Sequence, residues 1–256
     1  MTLPYLGVHL LFVLPPLAVL WAVRPSLPPA RNRIAGVGIA LMTTVAVVYT
    51  TPWDNFLIGR GVWWYGEGLV WARIWRAPVG EYLFFVLQSL LTALWLYQLG
   101  IDTAYEPGDF DYVPRVAGTG ALLAASVAAA GVLLVDWRPG YYLAAIVVWA
   151  GPVLALQWAV GGGYLVRTWA EWAPAVAVPT LYLWFVDRLA IGLGVWTISK
   201  EFTTGLTIVG LPIEEAAFFL VTNALLVFGL VLFEWVLDWA KRPTTTDPDA
   251  PAVPRE

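Results

Sequence analysis

The sequence predicts an all-α integral membrane protein with seven transmembrane helices, on the strength of three observations. Of its 256 residues, 60% are hydrophobic and 12% are charged, whereas about 25% are charged in soluble domains. Long uncharged stretches alternate with short charged ones, as expected of a chain that crosses a bilayer repeatedly. The chain also contains 16 tryptophans and 11 tyrosines, whose amphipathic rings collect at the membrane–water interface. A mean hydropathy of +0.72 agrees with this prediction.

Seven apolar segments can be placed along the chain. They are predicted at residues 3–23, 34–52, 81–100, 116–135, 140–161, 172–189 and 212–236. The first has neither a basic leading stretch nor a small-residue cleavage site, so we interpret it as a retained helix. Three glycines at 161–163 are predicted to form a flexible end of the fifth helix. The polar tail at 241–256 is rich in Pro, Thr and Asp and is predicted to be disordered.

Composition also argues against several classes of site. Without cysteine, the chain has no disulfides and no thiolate metal site. With His9 as its one histidine, a multi-histidine metal centre is not expected, and we predict no metal. His9 is predicted to be a packing or hydrogen-bonded residue rather than a catalytic one. A net charge of −4 without a basic cluster predicts no nucleic-acid partner. The two lysines, Lys200 and Lys241, fall outside the predicted helices, which argues against a retinal Schiff base.

Basic residues suggest an orientation in the cell membrane. The first loop contains Arg24, Arg31 and Arg33, and the end of the last helix is followed by Lys241 and Arg242. With seven helices these two regions lie on the same side. The positive-inside rule therefore predicts a multi-pass protein with its C-terminus in the cytoplasm and its N-terminus outside.

The chain contains an internal repeat. The first and fifth segments align without a gap at an offset of 137 residues, and the identities include Tyr5 with Tyr142, Pro15 with Pro152, and Trp21 with Trp158. Because the offset spans four helices, an even number, both copies cross the membrane in the same direction, as in a parallel repeat. We predict a 3+1+3 organisation: a first three-helix unit at 1–115, a linking helix at 116–138 and a second unit at 139–240.

A second part of the repeat contains carboxylates. Asp54 lies nine residues before Trp63, and Asp187 lies nine before Trp196. Each unit then has the pattern Pro-x-x-Glu-x-x-Phe-Phe, beginning at residues 78 and 212. Since successive helices are antiparallel, both Asp residues at the ends of second helices and both Glu residues at the starts of third helices should meet at one rim of the membrane.

These carboxylates have a structural and a functional interpretation. Glu in a first helical turn after proline is a common helix start, because it favours the positive end of the helix dipole. Charged groups within membrane segments are costly, however, and indicate function by default. The recurrence of two Asp and two Glu at matching spacing favours function.

At these residues the chain resembles the integral-membrane lycopene cyclases, which occur as paired or fused subunits in bacteria, archaea and fungi. The resemblance runs from Tyr5 to about Phe233 and is most specific at 49–55 (YTTPWDN), 78–85 (PVGEYLFF) and 211–219 (LPIEEAAFF). Fusion of the two subunit types would give the 3+1+3 layout. One position departs from the family pattern: the second copy has Glu214 before its final Glu, whereas the first copy has Gly80.

The resemblance implies a lycopene β-cyclase that isomerises a linear, lipid-dissolved carotenoid without net redox change. We predict no flavin or nicotinamide cofactor, and no oligomeric state is predicted. Our hypothesis makes Glu81 and Glu215 the acid and base, with Asp54 and Asp187 assisting or positioning. The predicted catalytic set is Glu215, Glu81, Asp54, Asp187 and Glu214. The predicted substrate-binding set is Trp63, Trp196, Phe84, Phe85, Phe218, Phe219 and Asn55.

Two further interpretations stay open from the sequence. A small 3+1+3 transporter would use the same repeat, but it should have polar residues at the helix centres, which we expect to be apolar. A carotenoid hydratase would protonate the same alkene and then add water. A separate hypothesis places one site between the two units rather than one in each unit.

Overall fold

The computed structural model describes residues 3–242 of the chain. Within this range lie seven helices long and apolar enough to cross a membrane, which confirms the predicted fold class. They are α1 Tyr5–Ala22, α2 Pro29–Arg60, α3 Val79–Leu99, α4 Tyr112–Leu134, α5 Tyr141–Arg167, α6 Trp169–Gly192 and α7 Ile213–Ala240. The predicted disordered tail lies, from residue 243 onward, outside the described residues.

Helices α3 and α7 form the centre of the bundle. Helix α3 packs against α1, α2, α6 and α7, while α7 packs against α2, α3, α5 and α6. Helix α4 is peripheral and packs mainly against α5. Small residues allow this close approach: a Cβ on Gly118 would lie 2.4 Å from the ring of Trp158. The third helix of each predicted unit, α3 or α7, is thus the most central helix of that unit.

Short strands lie at the end of the bundle where α2 and α6 finish. They are β1 Trp63–Tyr65, β2 Arg73–Ile74, β3 Ala77–Pro78, β4 Trp196–Ile198, β5 Thr207–Ile208 and β6 Leu211–Pro212. Two hairpins, β2–β3 and β5–β6, lead into α3 and α7. Trp64, Trp71 and Trp75 are spaced seven and four residues apart, as on one face of a helix, but none of them is helical: Trp64 lies in β1, Trp71 in irregular chain and Trp75 in the turn between β2 and β3.

Strands β1 and β4 join the loops of the two predicted units. They pair antiparallel, with Trp63 opposite Ile198 and Tyr65 opposite Trp196. In this register each tryptophan of the repeat is opposite the residue that lies two positions after the other tryptophan. A two-fold axis along the membrane normal would produce the same symmetric pairing. The 3+1+3 repeat itself stays a prediction.

Two predicted helix ends are wrong. Helix α2 continues through Pro52 to Arg60 and ends at Gly61, whose φ of 74° suits a helix C-cap. Asp54 therefore lies six residues inside the helix, about 9 Å from its end. Helix α5 continues to Arg167 past a kink at Gly161, whose φ and ψ are −136° and 31°. The three glycines are tightly packed, since a Cβ on Gly163 would lie 2.3 Å from the Asp109 carbonyl oxygen.

The expectation of wholly apolar helix centres is also wrong, because a buried hydrogen-bonded chain connects α3, α6 and α7. Thr92 Oγ1 donates to Asn223 Oδ1 at 2.7 Å, and Asn223 Nδ2 donates to Thr180 Oγ1 at 3.0 Å. Gln88 Nε2 donates to Thr222 Oγ1 at 2.9 Å. These polar groups satisfy one another, which offsets the cost of placing them between membrane helices.

At the opposite end of the bundle, Asp109 anchors the loop between α3 and α4. Arg167 donates to both of its carboxylate oxygens, at 2.7 and 3.0 Å, and Trp235 Nε1 donates at 2.8 Å. Burial alone would raise the pKa of Asp109, but the bonds from Arg167, the Glu106 amide and Trp235 together hold that pKa below its ordinary value. The carboxylate is thus stabilised in its charged form.

Candidate active site

A cavity of about 680 Å³ lies among the helix ends beneath β1 and β4. Asp54, Glu81, Asp187 and Glu215 all line it. The side chains of Asp54, Asp187 and Glu215 are buried, and that of Glu81 is half-buried. Two of these carboxylates come from each predicted unit. The four residues that the repeat singled out are therefore brought together in one cavity between the units.

Glu81 is held by residues of β1 and α1. Tyr65 donates its hydroxyl to Glu81 Oε1, and Trp63 Nε1 donates to the Tyr65 oxygen at 3.0 Å. The ring of Tyr5 stacks on that of Tyr65 with centroids 5.7 Å apart. Burial and the neighbouring Glu81 carboxylate raise the pKa of the Tyr65 hydroxyl well above its ordinary value. Tyr65 is therefore a hydrogen-bond donor at neutral pH.

The carboxylates of the second unit have different partners. Trp196 Nε1 donates to Asp187 Oδ1 at 2.9 Å. Tyr142, the repeat counterpart of Tyr5, lies beside Glu215. Among the described residues, no side chain or backbone group bonds Asp54 Oδ2 or Asp187 Oδ2, both of which are buried. Unpaired buried oxygens are rare in proteins and are found at functional sites.

Aromatic rings form much of the remaining wall. All six aromatic residues of the predicted substrate-binding set line the cavity. Trp53 adds a further wall: its ring is parallel to that of Phe218, at 3° and 5.8 Å, and stacks on Trp149 at 4.8 Å. Its indole N–H donates to the Ala145 carbonyl oxygen at 3.1 Å, which fixes the ring. The cavity therefore presents π faces around its carboxylates.

Two residues of the predicted set do not line this cavity. Asn55 accepts from the backbone N–H groups of Arg76 and Ala77 at 2.7 and 2.9 Å, so it fastens the β2–β3 hairpin to α2. Glu214 accepts from the Thr204 amide and hydroxyl at 2.7 and 2.8 Å, so it fastens the loop before β5. Both hold the segments that enclose the cavity.

The departure at Gly80 has a steric reason. A Cβ at this position would lie 2.6 Å from the ring of Tyr5. The tyrosine ring therefore occupies the space that a side chain would need. In the second unit the corresponding residue, Glu214, points toward Thr204 instead.

Sequence reasoning assigned no site role to Tyr5, Tyr142, Trp53, Tyr65 or His9, all of which contact the carboxylates or line the cavity. The signal was present for the first two, which are an aligned pair of the repeat, and for Trp53, which precedes Asp54 in the family motif. His9, predicted to be a packing or hydrogen-bonded residue, is buried in the wall with Nδ1 3.1 Å from the Tyr5 carbonyl oxygen. Its repeat counterpart is Ile146, so the repeat offered no signal for it.

Comparisons with known proteins identify the family. No protein-family model matches the chain, and no solved structure matches it. The lycopene beta-cyclase of Halobacterium salinarum is 48% identical over 238 residues, which cover 93% of this chain and 98% of that protein. The bifunctional lycopene cyclase/phytoene synthase of Gibberella fujikuroi is 37% identical over 235 residues, 89% of this chain and 39% of that protein. That of Phaeosphaeria nodorum is 33% identical over 266 residues, 98% of this chain and 44% of that protein. The chain therefore belongs to the lycopene beta-cyclase family.

Proposed function

We propose that this chain is a lycopene β-cyclase that closes the linear ends of lycopene into β-ionone rings, giving γ-carotene and then β-carotene. The observation that supports this most directly is the single aromatic cavity in which four carboxylates from both halves of the chain converge. Proton-initiated cyclisation needs an acid, a base and little else from the protein. Family membership supplies the substrate.

The reaction is an isomerisation in which one proton is added and one is lost. A carboxylic acid protonates C2 of the terminal alkene, which leaves a tertiary cation at C1. The C5=C6 double bond attacks C1, forming the C1–C6 bond and moving the cation to C5. A carboxylate then removes the proton from C6, and the electrons of that C–H bond restore C5=C6. Neither redox cofactor nor co-substrate enters this balance.

We assign the acid and base roles to Glu81 and Glu215, which begin the two central helices and face the same cavity. Asp54 and Asp187 assist from within the last two turns of α2 and α6. Asn55 and Glu214 become positioning residues because their carbonyl and carboxylate oxygens bond loop amides rather than face the cavity. Because one cavity is lined by Asp54 and Glu81 of the first half and by Asp187 and Glu215 of the second, we infer that the two halves share one site.

The aromatic wall suits a cationic intermediate. A tryptophan face beside a desolvated cation contributes about 2 kcal/mol, and phenylalanine somewhat less. Trp53 and Phe218 offer parallel faces within the cavity, and their positions are fixed by the Trp53–Ala145 hydrogen bond and by stacking. These rings stabilise positive charge without offering a nucleophile that would trap it, which favours ring closure over hydration.

Expression in a bacterium that accumulates lycopene tests the proposed function. We expect the extracted pigment to shift from lycopene to γ- and β-carotene, separated by chromatography. Lycopene that persists although the protein is folded and inserted in the membrane would contradict the proposal. A hydroxylated product heavier than lycopene by the mass of one water molecule would favour a hydratase instead.

The contact between Gly80 and Tyr5 gives a second test. In Gly80→Ala the added methyl group falls on the Tyr5 ring, and overpacking of this kind should displace the ring and lower turnover about tenfold. Gly120→Ala on α4 is the matched control, because open space surrounds that position. Conversion of lycopene in the same cells, normalised to membrane-inserted protein, measures both. Equal turnover in the two variants would contradict a role for the Tyr5 position.

A further inference from the structure

A second cavity, of about 720 Å³, lies directly beside the first. Phe85 and Phe218 line both, so a pair of aromatic side chains forms the boundary between them. Trp149 lines the second cavity, and its ring stacks on Trp53 of the first. The two cavities are therefore consecutive spaces in one interior, separated by side chains and not by a helix.

The second cavity extends away from the carboxylates toward the middle of the membrane. On α2 it begins at Thr50, one turn from Asp54, and reaches Met42. A rise of about 1.5 Å per residue places Met42 about 18 Å from Asp54 along the helix axis. The lining on α7 continues in the same direction, from Phe218 through Thr222 to Leu226. The combined space is thus long and runs roughly parallel to the helices.

The wall of the second cavity suits a hydrocarbon. Its aliphatic members are Met42, Val45, Ala46, Val153, Leu225 and Leu226. Two of its polar side chains donate to backbone carbonyl oxygens: Ser89 Oγ to that of Phe85 at 2.7 Å, and Gln157 Nε2 to that of Leu225 at 2.8 Å. Tyr49 donates to the Trp149 carbonyl oxygen at 2.8 Å. The hydroxyl donors of Ser89 and Tyr49 are thus both taken up by protein carbonyl oxygens.

This cavity also reaches the lipid-facing surface of the bundle. Val45 and Tyr49 line it and remain 47% and 40% exposed, on the side of α2 that faces lipid. A hydrocarbon dissolved in the bilayer can therefore reach it laterally, without crossing water. Entry at this depth leads toward the carboxylates past Phe85 and Phe218.

We propose that the second cavity, here called the polyene compartment, binds the conjugated chain of the carotenoid behind the end group that lies among the carboxylates. This inference rests on the proposed function. The reacting end is a small part of a linear C40 molecule, and the first cavity alone ends at Phe85 and Phe218. The polyene compartment extends the first cavity along α2 and α7, with mainly apolar walls and an opening to the membrane.

Obstruction of the compartment provides the test. Ala46→Phe places a ring in the middle of the compartment, while Val48→Phe puts the same ring on the lipid-exposed face of the same helix. Each full-length variant, reconstituted in liposomes, receives either lycopene or a short acyclic polyene whose end carries the same C1=C2 and C5=C6 double bonds. We expect Ala46→Phe to lower lycopene turnover about tenfold or more, while the short polyene is cyclised at the rate of the wild type. Val48→Phe should match the wild type on both substrates.

The outcomes separate the two proposals. If Ala46→Phe and Val48→Phe cyclise lycopene equally well, or if Ala46→Phe loses activity on both substrates by the same factor, the compartment does not hold the chain. If the wild type cyclises neither substrate although folded, the proposed function fails as well. Loss confined to the long substrate supports both.

Discussion

Replacement of Glu215 by glutamine is expected to lower lycopene cyclisation by about 10²- to 10⁴-fold, the usual contribution of a general acid or base. Glutamine keeps the size of the side chain and both hydrogen-bonding ends but cannot gain or lose a proton. Glu215 begins α7, is buried in the cavity wall and lies beside Tyr142. The variant should therefore fold, bind carotenoid and fail at proton transfer.

Glu81→Gln should have a loss of the same order, because ring closure needs both a donor and an acceptor. Glu67→Gln is the matched control, since Glu67 is exposed on the loop at the same end of the bundle. Pigment conversion per folded protein measures all three variants. Wild-type turnover in either Glu81→Gln or Glu215→Gln would remove that residue from the acid/base pair.

Asp109→Asn is expected to destabilise the protein by about 3 kcal/mol, the cost of breaking a buried charge pair by removing one partner. Asp109 is 2% exposed and accepts from Arg167 and Trp235. The matched control is Glu106→Gln, which loses an exposed contact to the same arginine and should cost less than about 1 kcal/mol. Thermal or denaturant unfolding in detergent measures both, and equal losses would contradict the assignment.

The sign of the pH dependence follows from the lowered pKa of Asp109. A carboxylate whose pKa is lower in the folded protein contributes stability above its unfolded-state value of about 4. That contribution disappears as the pH falls through the folded-state value. The stability difference between wild type and Asp109→Asn should therefore be full at neutral pH and shrink as the pH falls below about 4. A difference that grows in acid would contradict this account.

The seven helices and the meeting of four carboxylates were predictable because each depends on information local to the chain. Apolar length defines a membrane helix, and the direction of successive helices decides which ends share a rim. The distance of Asp54 from the end of α2 was not predictable. A proline commonly ends a helix, but α2 continues through Pro52 for eight more residues. The polyene compartment was also not predictable, because Ala46, Ser89 and Val153 meet through the packing of different helices and look like ordinary membrane residues in the sequence.

Contacts between side chains that are distant in the sequence were not predictable either. In the sequence, Gly80 stands where the family pattern has a glutamate. The space that a side chain at position 80 would need is occupied by the ring of Tyr5, which lies 75 residues earlier in the chain. Asn55 and Glu214 occur within site motifs, but their oxygens bond loop amides. A motif shows which residues belong to a region, while only the packing shows which way each of them faces.

The paired strands β1 and β4 place different residues near the two glutamates, Glu81 and Glu215. Tyr65 and Ile198 occupy corresponding positions, eleven residues after Asp54 and Asp187. Tyr65 bonds Glu81, whereas an isoleucine side chain has no hydroxyl with which to bond Glu215. A perfectly symmetric pair of carboxyl groups would receive a carotenoid end equally well in two orientations related by the two-fold axis. The surroundings of Glu81 and Glu215 differ before any substrate arrives, so we expect one of these two orientations to be preferred in the resting protein.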